Sequence, residues 1–564
     1  MKHKKDLFVL LLILSLAGCE GAAPDRSGQA AGPPELPEEI LAASEIIDAG
    51  GILESVTYLG GDEVEGRGPG SRGDRLAREY LAQRLEGLGL EPAFAGASWD
   101  QPFDLVGVDS AMPDQWTFRG ADGDLSFRFR EEYMGASGVQ QPSVSIDDAE
   151  VVFVGYGIQA PEEQWDDFKG VDLNGKILLM LNDDPDWDPD LFDGERKLYY
   201  GRWMYKYESA GRQGAAGAII VHTTSSAGYP WQVVDASWNG EKFELVAGDE
   251  PRAAVHAWLT EEAAGRLAEL GGHDLSELIE GARSREFRPV PLGVTTSLRF
   301  DVQIRTTETA NTAGVLRGSD PDLADQYVIF SAHHDHFGIG EPDATGDNIY
   351  NGALDNGVAM AQVLAIAEAF ASLDAPPRRS LMFLFPAAEE QGMLGSKYFA
   401  ESNAFAPGKI AANINLELGN VWGPTEDVVV FGKGKNTLEN LLVDVAQLQD
   451  RVVRADDDPR AGWYYRSDQF SLARVGVPAI WFRSGSRVRG RPEGWGKERF
   501  QEWIATRYHQ PIDEVGEDWN YDGLVEDARL AFWLGSIVAD RQDLPTWYPG
   551  DEFENVRKAA LAGP

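Results

Sequence analysis

Three of the chain's eight histidines fall in Ser331-Ala-His-His-Asp-His-Phe-Gly338, directly after the apolar run 327–330. In extended chain the side chains of His333 and Asp335 point one way and those of His334 and His336 the other. The first pair has the chemistry of a metal ligand and the carboxylate that orients it. Next, Gly352-Ala-Leu-Asp-Asn-Gly357 presents Asp355 on a glycine-flanked loop ahead of a helix, where one carboxylate can bridge two cations. Ala387-Ala-Glu-Glu-Gln-Gly392 follows an apolar run and offers Glu389 and Glu390, one able to ligate metal while its neighbour abstracts a proton. The run 410–418 delivers Glu417, and Tyr508-His-Gln-Pro-Ile-Asp513 delivers His509. These are two histidines and three carboxylates for metal, one spare carboxylate, and no cysteine. Such a donor set suits zinc, with cobalt or manganese as alternatives.

Each motif alone has a plain structural reading, since paired acids often begin a solvated helix and a single histidine is often a hydrogen-bonded core residue. Their positions decide between the readings. From about 306 onward strands and helices alternate: strands at 327–332, 380–385, 410–418, 428–431 and 479–482, with helices at 356–373 and 438–448. Apolar strands buried on both faces and linked by helices predict an α/β fold with a doubly wound, mostly parallel sheet flanked by helices. Ligands in that architecture collect beyond the carboxyl ends of the strands. Unrelated surface acids would not track those ends one after another.

Upstream, residues 45–100 carry helical spacing, clearest in Leu76, Tyr80, Leu81 and Leu85. Gly68-Pro-Gly-Ser-Arg-Gly73 is formally a dinucleotide fingerprint, but no apolar strand precedes it and a proline sits inside it, so a turn is expected. Residues 101–295 change to short apolar runs between turns, with a helix at 205–217, and read as a separate β-rich module. Residues 296–545 read as the catalytic domain and 546–564 as a C-terminal tail.

The first residues carry Lys2, Lys4 and Lys5, an apolar run at 7–16, then Leu16-Ala17-Gly18-Cys19. This is the layout of a secretory signal, too short to span a bilayer permanently. The stretch 19–44, rich in proline, glycine and alanine, reads as a flexible tether. Cys19 is the only cysteine, so an intrachain disulfide framework and a cysteine-based zinc site are both excluded. With 92 Asp and Glu against 50 Lys and Arg, the net charge of −42 repels a phosphate backbone, and nucleic acid is excluded as a partner. At 564 residues the chain is too long for one core.

Leu16–Cys19 resembles the lipobox of bacterial lipoproteins, which implies residues 1–18 as signal peptide, lipidation of Cys19, membrane contact through that anchor only, and export to the periplasmic face of a membrane. Glu20 after the cysteine favours the outer membrane. The β-rich module, through Tyr156-Gly-Ile and Trp165-Asp-Asp-Phe, resembles a protease-associated domain. The succession H-x-D, G-A-x-D-N, A-A-E-E-x-G-x-x-G-S, N-x-acid and Y-H-x-P-x-D resembles the cocatalytic di-zinc aminopeptidase family, which includes bacterial leucyl aminopeptidases, plasma glutamate carboxypeptidase and glutaminyl cyclase. The resemblance covers about residues 45–543. It implies two Zn2+ ions, with Asp355 bridging them, Glu390 and His509 on one, and His333 and Glu417 on the other. Glu389 becomes the general base and Asp335 the partner of His333. Tyr464 or Tyr465 is placed at the oxyanion, and Ser467-Asp468-Gln469 in the substrate pocket. Two departures from the family pattern are Gln469, where histidine is usual, and Glu417, where aspartate is.

The activity implied is removal of N-terminal residues from peptides. A dipeptidase or carboxypeptidase of the plasma glutamate carboxypeptidase type is the alternative, and would use Arg466 or Arg483 for the substrate carboxylate. A one-metal cyclase is disfavoured because all five ligand positions are chelating. A non-catalytic binding module on the same fold would show lost ligands, and none is lost. No G-x-S-x-G elbow and no H-E-x-x-H is present.

Overall fold

A computed structural model describes residues 34–402 and 404–563. The signal segment and Cys19 lie outside the described residues. At the centre four strands run parallel and adjacent, in the order Ser380–Phe385, Tyr327–Ser331, Ile410–Asn415 and Ala479–Ser484. Antiparallel strands close both sides. Residues 312–316 of the long strand Val290–Leu316 pair with Ser380–Phe385, and Asp427–Val430 pairs with Ala479–Ser484. The sheet is therefore mixed and mostly parallel.

The central strands are buried along nearly their whole length and mostly apolar because both faces are covered. Along Ser380–Phe385, Leu381, Phe383 and Phe385 enter the core beneath the helices Ala49–Leu59, Val358–Ala371 and Asp522–Asp540, whereas Met382 and Leu384 enter the core on the opposite face with Phe399 and Leu472. The last two lie on the helices Leu394–Glu401 and Gln469–Arg474. Helices thus flank both faces, as the alternating pattern predicts.

Residues 101–295 contain a second unit, and it is a mixed α/β one. Ser143–Phe153, Ile177–Leu181, Gly217–His222 and Val255–Thr260 form a parallel sheet. The helix Trp203–Arg212 leads into the strand Gly217–His222. Its limits differ from those expected. Val290–Leu316 is one strand of 27 residues that pairs with Ser143–Phe153 near its start, with Asp100–Ser110 in its middle and with the central sheet at its end. Boundaries expected at 100/101 and 295/296 both fall inside strands of this ribbon, because alternating side chains run through them without a turn signal.

Two further expectations are corrected. The span read as tether to residue 44 includes the helix Glu38–Ser44, which buries Ile40 and Ala43 in the main core. The span read as a tail packs back: Trp547 and Phe553 are buried, and Trp547 Nε1 donates to the Gly476 carbonyl at 2.9 Å.

Candidate metal centre

The strand Tyr327–Ser331 ends just before His333, and the four residues 333–336 are all buried. His333 Nδ1 lies 3.2 Å from the Asp335 carbonyl and 3.7 Å from the Asp335 carboxylate. A proton held there leaves Nε2 as a bare lone pair. The Asp335 carboxylate also accepts the backbone N–H of Glu389 at 2.9 Å and of Glu390 at 3.3 Å. One side chain therefore fixes both the first imidazole and the loop carrying the paired acids. His334 points away as expected, with Nε2 2.9 Å from Asp74 Oδ1. His336 does not: its Nδ1 is 2.7 Å from Glu390 Oε1, so it supports the site from the other side. The two-residue alternation fails because the chain leaves strand geometry after Ser331.

Asp355 stands between the two other ligand groups. Its Oδ1 is 3.4 Å from His333 Nε2, and its Oδ2 is 3.4 Å from His509 Nε2. His509 Nε2 is in turn 3.2 Å from Glu390 Oε2. Ligand atoms about 2.0–2.2 Å from a tetrahedral zinc stand roughly 3.3–3.5 Å apart, so these spacings fit a shared metal better than direct hydrogen bonds. His333 Nε2, His509 Nε2 and Glu417 Oε2 are buried with no hydrogen-bond partner, as donor atoms reserved for a cation would be. Ligand atoms of His333, Asp355 and Glu390 lie within 4.8 Å of one another. Glu417 is outside that tight group but adjacent to it, and His333 and Asp355 are the charges that bear on it most.

The Asp355 loop is held rigidly. Gly352 takes φ +59°, and a Cβ there would come 2.2 Å from the Asp355 carbonyl and 2.6 Å from the His336 ring. Asp513 Oδ2 accepts the backbone N–H groups of Leu354 and Asp355, each at 3.1 Å. Asn356 ties this loop to the Glu417 loop by accepting the Leu418 N–H at 3.1 Å. Arg67 is fully buried and donates to the carbonyls of Leu59, His334, Asn351 and Gly352, clamping the two ligand loops to the N-terminal helices.

The electrostatics are those of a carboxylate cluster around imidazoles. Burial alone would lower the His333 imidazole, but Asp355, Glu389 and Asp335 outweigh it and raise its pKa well above the usual value. His509 is raised to about 10 against the same burial cost, chiefly by Glu390. Burial and then the Glu417 carboxylate push Glu389 well above the ordinary range. Burial does the same to Glu417. Glu389 Oε2 lies 4.0 Å from His333 Nε2, close enough to address a molecule held between the ligands.

The residues expected in the substrate pocket divide. Ser467 Oγ and Gln469 Oε1 both accept from Asn415 Nδ2, at 2.6 and 3.1 Å, and Gln469 Nε2 donates to the Tyr464 carbonyl. Gln469 thus braces the strand end that carries Glu417. Asp468 is buried near His333, and burial raises its pKa to about 6. Neither tyrosine offers its hydroxyl to an oxyanion: Tyr465 donates to Glu552 at 2.5 Å and Tyr464 to the Ala479 carbonyl at 3.3 Å. Both rings pack around the Lys435 ammonium instead.

Comparison with known proteins finds similarity in sequence and in fold. Residues 311–532 match the model of peptidase family M28. A probable zinc metalloprotease of Pyrenophora teres f. teres (strain 0-1) is 31% identical over 169 residues, which are 29% of this chain and 33% of that protein. A second, from Pyrenophora tritici-repentis (strain Pt-1C-BFP), is 31% identical over 153 residues, 26% of this chain and 33% of its own. The chain spans about a third of the length of these relatives. In fold it is similar to an aminopeptidase from Aneurinibacillus sp. strain AM-1, with a TM-score of 0.50, 19% identity, and 90% of this chain and 97% of that one covered.

Proposed function

We propose that the protein is a zinc aminopeptidase, exported and anchored by a lipid on Cys19, that removes N-terminal residues from peptides. The observation that carries the reading is Asp355, whose two carboxylate oxygens each stand 3.4 Å from a different histidine. Glu390 and His509 would hold one Zn2+ ion and His333 and Glu417 a second, with Asp355 available to both. Zinc bound there would supply Lewis acidity, polarising the scissile carbonyl and lowering the pKa of water toward neutrality.

The chain's own residues do the rest. Glu389, its pKa raised by burial and by Glu417, takes a proton from the attacking water and returns it to the leaving amine. Asp335 holds His333 in the tautomer that exposes Nε2, and through the Glu389 N–H it fixes the base on the same framework. His336 steadies Glu390, and Asp513 holds the Asp355 backbone in place. The module within 101–295 is read as a protease-associated domain on its sequence motifs.

The test is hydrolysis of a peptide series with free and N-acetylated termini. Cleavage of free peptides only, abolished in Glu389→Gln, supports an aminopeptidase. Equal cleavage of acetylated peptides would overturn that assignment in favour of the dipeptidase or carboxypeptidase reading. For the anchor, metabolic incorporation of labelled fatty acid should disappear in Cys19→Ser.

A further inference from the structure

Arg483 lies on the strand Ala479–Ser484, on the same face as Trp481, whose Nε1 donates to the Glu417 carbonyl at 3.2 Å. Phe431 stacks on Trp481 at 3.9 Å. The Arg483 guanidinium carbon sits 3.9 Å from the centre of the Phe500 ring and 5.5 Å from that of Phe431. It is half-buried, and burial draws its pKa down to about 10, so it is charged at neutral pH.

Its aromatic surroundings hold the plane of the guanidinium but leave its donors unused. Asp527 and Glu417 are the acids that bear on it. Asp527 is committed, with Oδ1 2.8 Å from Arg451 and Oδ2 accepting the Ser484 N–H at 2.7 Å. Glu417 belongs to the metal centre. Arg466, the other available cation, donates to the Ala461 carbonyl at 2.9 Å and stacks on Trp463. Among the described residues the Arg483 guanidinium forms neither a hydrogen bond nor an ion pair. A half-buried guanidinium fixed by stacking, beside the centre, with its fork free, is built to receive a carboxylate in bidentate fashion.

We propose that Arg483 binds a carboxylate of the substrate and sets a preference for peptides that present one there. The inference rests on the peptidase reading. The carboxylate has two possible sources, an acidic side chain next to the scissile bond or the free terminus of a short peptide.

Two substrate pairs separate them: Glu- against Gln-leading peptides with amidated C-termini, and a neutral dipeptide against its amide. Each is assayed with the wild type, Arg483→Gln and Arg483→Lys. The wild type should favour the carboxylate in one pair by about tenfold or more in kcat/KM, the scale of a charge-assisted hydrogen bond. Preference in the first pair assigns the side chain, and in the second the terminus. Arg483→Gln should collapse the preference to within about threefold, and Arg483→Lys should retain part of it, which keeps the inference testable if the glutamine variant does not fold. No preference in the wild type, or an equal preference in Arg483→Gln, overturns it. If no peptide is cleaved, the peptidase reading fails. The inference is then decided by calorimetric titration of the zinc-loaded wild type and of zinc-loaded Arg483→Gln with glutamate, where equal Kd values in the two proteins would refute it.

Discussion

The carboxylate of Asp335 accepts the backbone N–H of Glu389 at 2.9 Å while standing 3.7 Å from His333 Nδ1. One buried residue thereby sets the distance between a metal ligand and the proposed base. Asp335→Asn keeps the shape but presents an NH2 group to one of the N–H donors it now accepts. Partners of this kind typically contribute 10- to 100-fold in metal affinity or activity. We expect zinc Kd and kcat both to worsen within that range, read by competition with a chelator and by steady-state kinetics. An unchanged zinc Kd would count against the assignment.

Gly352 is predicted to be irreplaceable for the site but not for the fold. An alanine at φ +59° costs about 1–2 kcal/mol on its own, and its Cβ would meet the Asp355 carbonyl at 2.2 Å. Gly352→Ala should therefore unfold cooperatively yet bind less zinc per chain. Full zinc content in this variant would show that the Asp355 loop tolerates the shift.

Arg67 tests how far the site depends on its support. Arg67→Met would leave the carbonyls of Leu59, His334, Asn351 and Gly352 without their donor. Leaving a buried acceptor without its hydrogen bond costs about 1–3 kcal/mol. Urea unfolding should show a loss of that size. A loss below about 1 kcal/mol would mean the carbonyls find other donors.

In the second unit, His256 stacks on Tyr207 at 4.2 Å, and burial, followed by Arg252, pushes its pKa down to about 3. Between that value and the usual 6.5 the unfolded chain binds a proton that the folded chain refuses. The stability from neutral His256 is thus fully present above pH 6.5 and declines as pH falls toward 3. The gap in Tm between wild type and His256→Gln should narrow from pH 7.5 to pH 4. A gap independent of pH would contradict the burial argument.

The sequence made the candidate metal centre legible because its residues are chemically distinctive and stand at successive strand ends. His333, Asp355, Glu390 and His509 stand together, with Glu389 and Glu417 beside them. Arg67 was not legible, since its partners are backbone carbonyls, which every sequence carries. His336 departs from the alternation because that pattern holds only while the chain is a strand. Tyr464 and Tyr465 turn to Lys435, Glu552 and Ala479, partners remote in sequence that no local pattern announces. The ribbon formed by Asp100–Ser110 and Val290–Leu316 is illegible for the same reason: its register joins residues about two hundred positions apart.

The most direct test of the account is the zinc content of the chain from Glu20 onward, counted by mass spectrometry after saturation and removal of unbound metal, alongside Asp355→Ala. Two zinc ions per wild-type chain, lost in the variant, are predicted, because Asp355 faces both histidines. One zinc would contradict the bridged pair, and none would contradict the metal centre altogether.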